Sequence, residues 1–171
     1  MAFLNSSQIN LKISLSELKS PVNLLALGFG SGLAPKAPGT FGTLLAFILA
    51  IFFPIFIAGW WIVFSSLLGI YLCHQCAKNL KIHDHPAIVW DEFCGLWLTL
   101  FLTQNIAFYA QYHWMTFVAS FVLFRIFDIV KPWPISFLDK KVAGGLGIMV
   151  DDLVAALFAA ICLYGFSLFF A

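Results

Sequence analysis

The sequence predicts an all-α, polytopic membrane protein: a helix bundle of about four to five spans behind a short amphipathic N-terminal segment. Three observations carry this expectation. Of 171 residues, 62% are hydrophobic and only 10% are charged, against about 25% charged in soluble domains. Mean hydropathy is +0.97, and a soluble fold of that composition would expose apolar surface on every side. The charges are also clustered. Nine Lys and Arg and eight Asp and Glu fall within residues 12–36, 78–92 and 125–152, leaving 37–77, 93–124 and 153–171 uncharged.

Residues 1–21 lack a basic start followed by a continuous apolar core, so they do not read as a cleavable signal. Leu11, Ile13, Leu15 and Leu18 mix with Lys12, Glu17 and Lys19, the pattern of a segment lying at a membrane surface. Residues 22–171 then read as a single membrane-embedded catalytic domain. A spanning helix needs roughly 20 apolar residues, so each of the two longer uncharged stretches holds two spans and a turn. Gly59 and the tryptophans of "AGWW" break the first, and the polar "TQNIAFYAQYH" at 103–113 breaks the second. The expected spans are 41–58, 60–77, 93–110, 114–130 and 148–170. The third has a semi-polar C-terminal half, so four spans with a re-entrant segment is the alternative.

Two such hairpins place all three charged intervals on one side of the membrane. They contain every Lys and Arg, which makes that side cytoplasmic by the positive-inside rule. The acids gather there too, which topology alone does not require. The pattern is that of a one-sided site built from three segments. No basic tract is present for a nucleic-acid partner, and the net charge is only +1. Cys73 and Cys76 form a C-x-x-C, but no second pair completes a zinc site, and buried cysteine usually acts as a small apolar side chain.

The first interval ends in "GFGSGLAPKAPGTFGTL", residues 28–44, where five glycines and two prolines interrupt any regular helix. Thr40 is expected to cap the helix that follows. Exposed backbone N–H groups, with Lys36, suit a phosphate. No phosphate-loop consensus is present, however, and a plain turn explains the stretch as simply. The second interval reads "KNLKIHDHPAIVWDEF". His83, Asp84 and His85 form a polar turn before Pro86; His-x-His can ligate a metal but more often sits in water. Asp91 and Glu92 open the next span, where the helix dipole favours acids for structural reasons alone. Glu92 shares a helix face with Gly95 and Thr99, so it points into the bundle, where a carboxylate needs a reason.

The third interval is "FRIFDIVKPWPISFLDKKVAGGLGIMVDD", residues 124–152. Arg125, Asp128 and Lys131 recur at helical spacing, and a self-neutralising Arg125–Asp128 pair is the ordinary explanation. Gly144, Gly145 and Gly147 read as a flexible loop, with Asp151 and Asp152 starting the last helix. Glu92, Asp128, Asp151 and Asp152, with Asp91 beside them, thus converge from three helix ends. Carboxylates in that number suit a hard divalent cation, Mg²⁺ above all, shared with phosphate oxygens of a substrate. All five are candidate metal ligands, and Glu92, Asp128, Asp151 and Asp152 are the candidate catalytic residues. Arg125, Lys131, Lys140 and Lys141, with Lys36 and Thr40, would bind the phosphate. Acids, bases and a glycine-rich loop at a membrane interface fit a lipid phosphate headgroup.

The segments "GFGSGLAPKAPGTFGT", "HDHPAIVWDEFCGLW" and "FRIFDIVKPWPISFLDKKVAGGLGIMVDD" closely resemble bacterial phosphatidylglycerophosphatase A, in the same order and spacing. The resemblance implies a multi-pass enzyme of the bacterial inner membrane with its site facing the cytoplasm. It implies a Mg²⁺-dependent phosphatase whose lipid substrate, phosphatidylglycerophosphate, is converted to phosphatidylglycerol and inorganic phosphate. Asp91, Glu92, Asp128, Asp151 and Asp152 stand where the family's motif acids stand, and Arg125 and Lys131 match likewise. One departure is Ser136, where family members often carry a basic residue; Lys140 or Lys141 would take over its role, or the headgroup binds more weakly. No C-x5-R or D-x-D nucleophile motif is present, so a covalent phospho-enzyme is not indicated. The expected chemistry is attack on phosphorus by metal-activated water, with one carboxylate as general base. A small ion-coupled transporter is the alternative. It would need charges near mid-span with access to both faces, and the far turns at 58–61 and 103–113 carry none.

Overall fold

The computed structural model describes residues 13, 15–82, 84–106 and 112–169. Residues 1–12 of the expected surface segment, His83 and residues 107–111 lie outside this set. Among the described residues there is no β-strand. The chain runs through α1 (Pro21–Ala26), α2 (Pro38–Phe52), α3 (Gly59–Leu80), α4 (Trp90–Thr103), α5 (His113–Val130), α6 (Ile135–Lys141) and α7 (Gly144–Ser167). Short 3-10 turns at Leu15–Lys19, Gly28–Leu33 and Pro54–Ile57 fill the connections.

The helix ends follow from local chemistry. Pro38 sits at the first turn of α2, where its missing N–H costs nothing. The helix stops at Phe52, one residue short of the pair Phe53–Pro54, because proline disfavours a helical residue before it. Lys81 and Lys131 close α3 and α5 in left-handed backbone, φ 56° and 44°, and Pro132 prevents α5 from continuing. Three helices, α3, α5 and α7, are long and apolar enough to cross a membrane. The other two of the five expected spans differ. The first is a 15-residue helix continued by the Pro54 turn. The third, α4, has 14 residues, about 21 Å of helix, shorter than the roughly 30 Å hydrocarbon layer.

That short helix is the centre of the bundle. It packs against α2, α3, α5 and α7, and Phe93, Leu96, Trp97 and Leu100 are buried among Phe124, Ala155, Ala156 and Ala159. The alanines of α7 let backbones approach, the usual device where lipid removes the hydrophobic drive between helices. Several polar groups inside are paired with backbone: Trp97 Nε1 donates to the Ala46 carbonyl at 3.0 Å, Trp90 Nε1 to the Ser65 carbonyl at 3.1 Å. Thr103 and Ser120 hydroxyls pair at 3.1 Å across α4 and α5. Outward, the long helices present Val63, Leu67, Val118 and Ile161, all exposed, as a lipid-facing surface must.

Two expectations about helix starts are corrected. Gly144, Gly145 and Gly147 are not a loop but the first turn of α7. A Cβ on Gly145 would run into the Ile70 carbonyl of α3, and one on Gly147 into the Val142 carbonyl. Gly145 and Gly147 therefore serve close packing, and Gly144 supplies the left-handed backbone, φ 75°, that opens the helix. Asp151 and Asp152 consequently lie two turns inside the helix, beyond the reach of its N-terminal dipole. Likewise α2 starts at Pro38, with Ala37 at its cap, so Thr40 lies inside the first turn instead of capping it.

Candidate active site

The start of α2, the turn before α4, the start of α4, the end of α5 and the second and third turns of α7 surround one cavity of about 340 Å³. Asp91, Glu92, Arg125, Asp128, Lys131, Asp151 and Asp152 all line it. Each arrives from a different constraint. Trp90 buries the base of α4, so the next two residues, Asp91 and Glu92, turn toward the cavity with only 9% exposure each. One helical turn separates Arg125 from Asp128 on α5, and Lys131 follows at its left-handed cap. Asp151 and Asp152 are 4% and 2% exposed.

The acids divide into two sets. Asp128 accepts a hydrogen bond from Arg125 Nη1, and the same nitrogen lies 3.7 Å from Glu92 Oε1. The guanidinium also donates to Thr43 Oγ1 at 3.3 Å and Thr40 Oγ1 at 3.4 Å. Asp151 Oδ2 accepts from Lys131 Nζ, which also donates to Asp139 Oδ1 at 2.8 Å. Burial works against the Lys131 charge, but hydrogen bonds to Asp139 and Asp151 outweigh it and raise its pKa, keeping it an ammonium. The second set is Asp91, Glu92 and Asp152, each offering an oxygen within 4.8 Å of the other two.

That second set has the chemistry of a cation site. Asp91 Oδ1, Glu92 Oε2, Asp151 Oδ1 and Asp152 Oδ2 are buried without a hydrogen-bond partner. Orphaned carboxylate oxygens in a dry environment are costly unless a cation or proton meets them. All donors are hard oxygens, which suits Mg²⁺, Ca²⁺ or Mn²⁺ better than softer metals. Arg125 and Lys131 line the same cavity, where two fixed positive charges suit an anion.

Not every expected residue lines this cavity. Thr40 reaches it only through Arg125. Lys36, Lys140 and Lys141 are exposed and line no part of it; Lys140 and Lys141 end α6. Three residues at the cavity were not among the expected site residues. Asp84 lines the cavity from the turn before α4. Asp139 holds Lys131. Gly39 matters most: a Cβ there would collide with Glu92 Oε1 and stand 3.2 Å from both Arg125 amino nitrogens. The Pro-Gly-Thr sequence was a signal for Gly39, but it read equally as a turn. Cys73 and Cys76 are buried on α3, with the Cys73 thiol against the Met149 sulfur at 4.0 Å, as expected of small apolar side chains.

The sequence pattern of the phosphatidylglycerophosphatase A family matches residues 24–167. The Escherichia coli (strain K12) protein named phosphatidylglycerophosphatase A is 46% identical over 152 residues, covering 86% of this chain and 84% of its own. The Haemophilus influenzae protein of the same name is 42% identical over 151 residues, covering 86% and 89%. A protein of Bacteroides thetaiotaomicron, provisionally named a phosphatidylinositol-3-phosphatase, is 36% identical over 146 residues, covering 81% and 88%. No solved structure matches the chain significantly.

Proposed function

The chain belongs to the phosphatidylglycerophosphatase A family, and we propose that it hydrolyses the terminal phosphomonoester of phosphatidylglycerophosphate to phosphatidylglycerol and inorganic phosphate. The observation that carries this is one cavity in which five buried or half-buried acids, three of them close enough to share a cation, are interleaved with the two fixed cations Arg125 and Lys131. Such a cavity matches a metal–phosphate pair. A transporter would not need seven charged groups from three helices at one end of the bundle.

In this reading the phosphate enters between Arg125 and Lys131, each of which is already held by carboxylates. Glu92 and Asp128 orient the guanidinium, while Asp139 and Asp151 orient the ammonium. Asp91, Glu92 and Asp152 would hold a divalent cation, Mg²⁺ by its preference for hard oxygen ligands. When bound, it supplies charge neutralisation at the phosphoryl oxygens and acidifies a water. Asp151 Oδ1, buried and unpartnered while Oδ2 is fixed by Lys131, is the atom proposed to accept the proton of the attacking water. The new bond forms from that water oxygen to phosphorus, the ester bond breaks, and the proton taken by Asp151 returns through water to the glycerol oxygen, which leaves as an alcohol. The positive-inside distribution of Lys and Arg supports a cavity at the cytoplasmic face of the inner membrane.

The test is phosphate release from phosphatidylglycerophosphate by the purified protein in detergent, with Mg²⁺ and with excess EDTA. Release should vanish with EDTA and return with Mg²⁺. Asp152→Asn should lose at least about a hundredfold in turnover and also lose heat of Mg²⁺ binding by calorimetry. A folded protein that releases no phosphate under either condition overturns the reading.

A further inference from the structure

Beside the acidic cavity lies a second hollow of about 460 Å³. Leu33, Ala34, Pro35 and Ala87 wall it, and among the described residues that line it the one titratable side chain is His85. The two hollows meet: Pro38 and Pro86 line both. Two other clefts, at residues 50–57 with 113–117 and at 67–71 with 143–146, share no wall with the acidic cavity. Of the hollows described, only this groove continues the site.

His85 gives the groove its chemistry. It is 4% exposed, and its Nδ1 accepts a hydrogen bond from the Ala87 N–H at 3.1 Å. An acceptor Nδ1 leaves the proton on Nε2, so the ring is a fixed donor. Burial lowers its pKa below the ordinary 6.5, against the opposing effect of Asp84. Lys36 is exposed on the short loop between Pro35 of the groove and Ala37 of the acidic cavity. The groove therefore offers one hydrogen-bond donor and apolar walls, and the exposed loop beside it carries one positive charge. It lies immediately beyond the place proposed for a phosphomonoester.

We propose that this groove is the subsite for the rest of the lipid headgroup: the glycerol phosphodiester, held at His85 and Lys36, with the start of the acyl-glycerol against the apolar wall. The assignment rests on the phosphatase reading. It goes beyond it by giving the substrate a direction, from Arg125 and Lys131 across Pro38 and Pro86 to His85. The enzyme would then distinguish its substrate from other phosphomonoesters by a second anion one glycerol away. Lys36 acts at the phosphodiester, not at the phosphate that is cleaved.

Inorganic phosphate probes the acidic cavity alone, and the lipid substrate probes both halves. His85→Ala removes the donor, and Ala34→Trp fills the half-exposed groove with bulk while leaving His85 in place. Each should raise KM for phosphatidylglycerophosphate in mixed micelles about tenfold or more, the scale of one lost hydrogen bond to a charged group. The inhibition constant of inorganic phosphate, which needs only the acidic cavity, should stay within about twofold. Unchanged KM in both variants overturns the groove and leaves the phosphatase standing. A parallel rise in KM and in the phosphate inhibition constant also overturns it, because the groove would then not be a separate subsite. Wild-type protein releasing no phosphate sinks the phosphatase reading instead, and the subsite with it.

Discussion

At Gly39, one added methyl group would meet the Glu92 carboxylate and crowd the Arg125 guanidinium from 3.2 Å. Both side chains are held on their other sides, Arg125 by Asp128 and Glu92 by the helix it starts, so neither can yield freely. Gly39→Ala should therefore lower kcat/KM by about tenfold or more, since displacements near 1 Å at reacting groups are costly. The variant should still insert and fold; normal activity would show that the ion pair is not part of the site. His85 carries a pH dependence. Its folded pKa is depressed below 6.5 by burial, so its neutral form stabilises the fold above that value, and the contribution is lost as pH falls toward the folded pKa. Thermal stability in detergent should drop between pH 7 and 5, and His85→Gln should flatten that drop. The acids themselves were legible as residues, but Asp139 was not. It reads as one surface charge beside Lys140 and Lys141, and only its 2.8 Å contact with Lys131 gives it a role.

At the scale of elements, the first turn of α7 decides how closely α7 approaches α3. Gly145 meets the Ile70 carbonyl and the His74 backbone, a contact no side chain can share. Gly145→Val should destabilise the protein by about 2 kcal/mol, the usual cost of overpacking. Gly165, at the other end of the same helix with nothing within 4 Å, should accept alanine without loss. Equal effects at both positions would refute the packing role. Helix identity was legible here because long apolar periods survive any packing, and α3, α5 and α7 appear close to where composition puts them. The start of α7 was not. Three glycines in four residues favour a loop by propensity, and tertiary contact with α3 overrides that preference.

For the whole molecule, the gathering of charged helix ends has a direct consequence for sidedness. Lys140 and Lys141 are exposed at the end of α6, on the same end of the bundle as the acidic cavity. A membrane-impermeant amine reagent should modify both in inverted vesicles and neither in right-side-out ones. The reverse pattern would overturn the cytoplasmic orientation. The short central helix α4 also sets the depth of the site. Near its start, Asp91 and Glu92 meet Asp152, which lies two turns into α7.

The amino-acid sequence by itself determined the membrane class, the helical bundle, the segregation of charge to one end and the residue types available for chemistry. These are properties of composition and of short periods along the chain, and they hold whatever the packing. Only the tertiary structure decided which acids lie close enough together to share a cation. Asp91, Glu92 and Asp152 lie up to about sixty residues apart in the chain yet within 4.8 Å in space. It also decided which acids are committed to cations: Asp128 to Arg125, and Asp151 to Lys131. Those choices depend on the rotation and depth of each helix against its neighbours. Single contacts between distant residues set both, Gly39 against Glu92 and Gly145 against Ile70 among them, and no local pattern along the chain encodes such contacts.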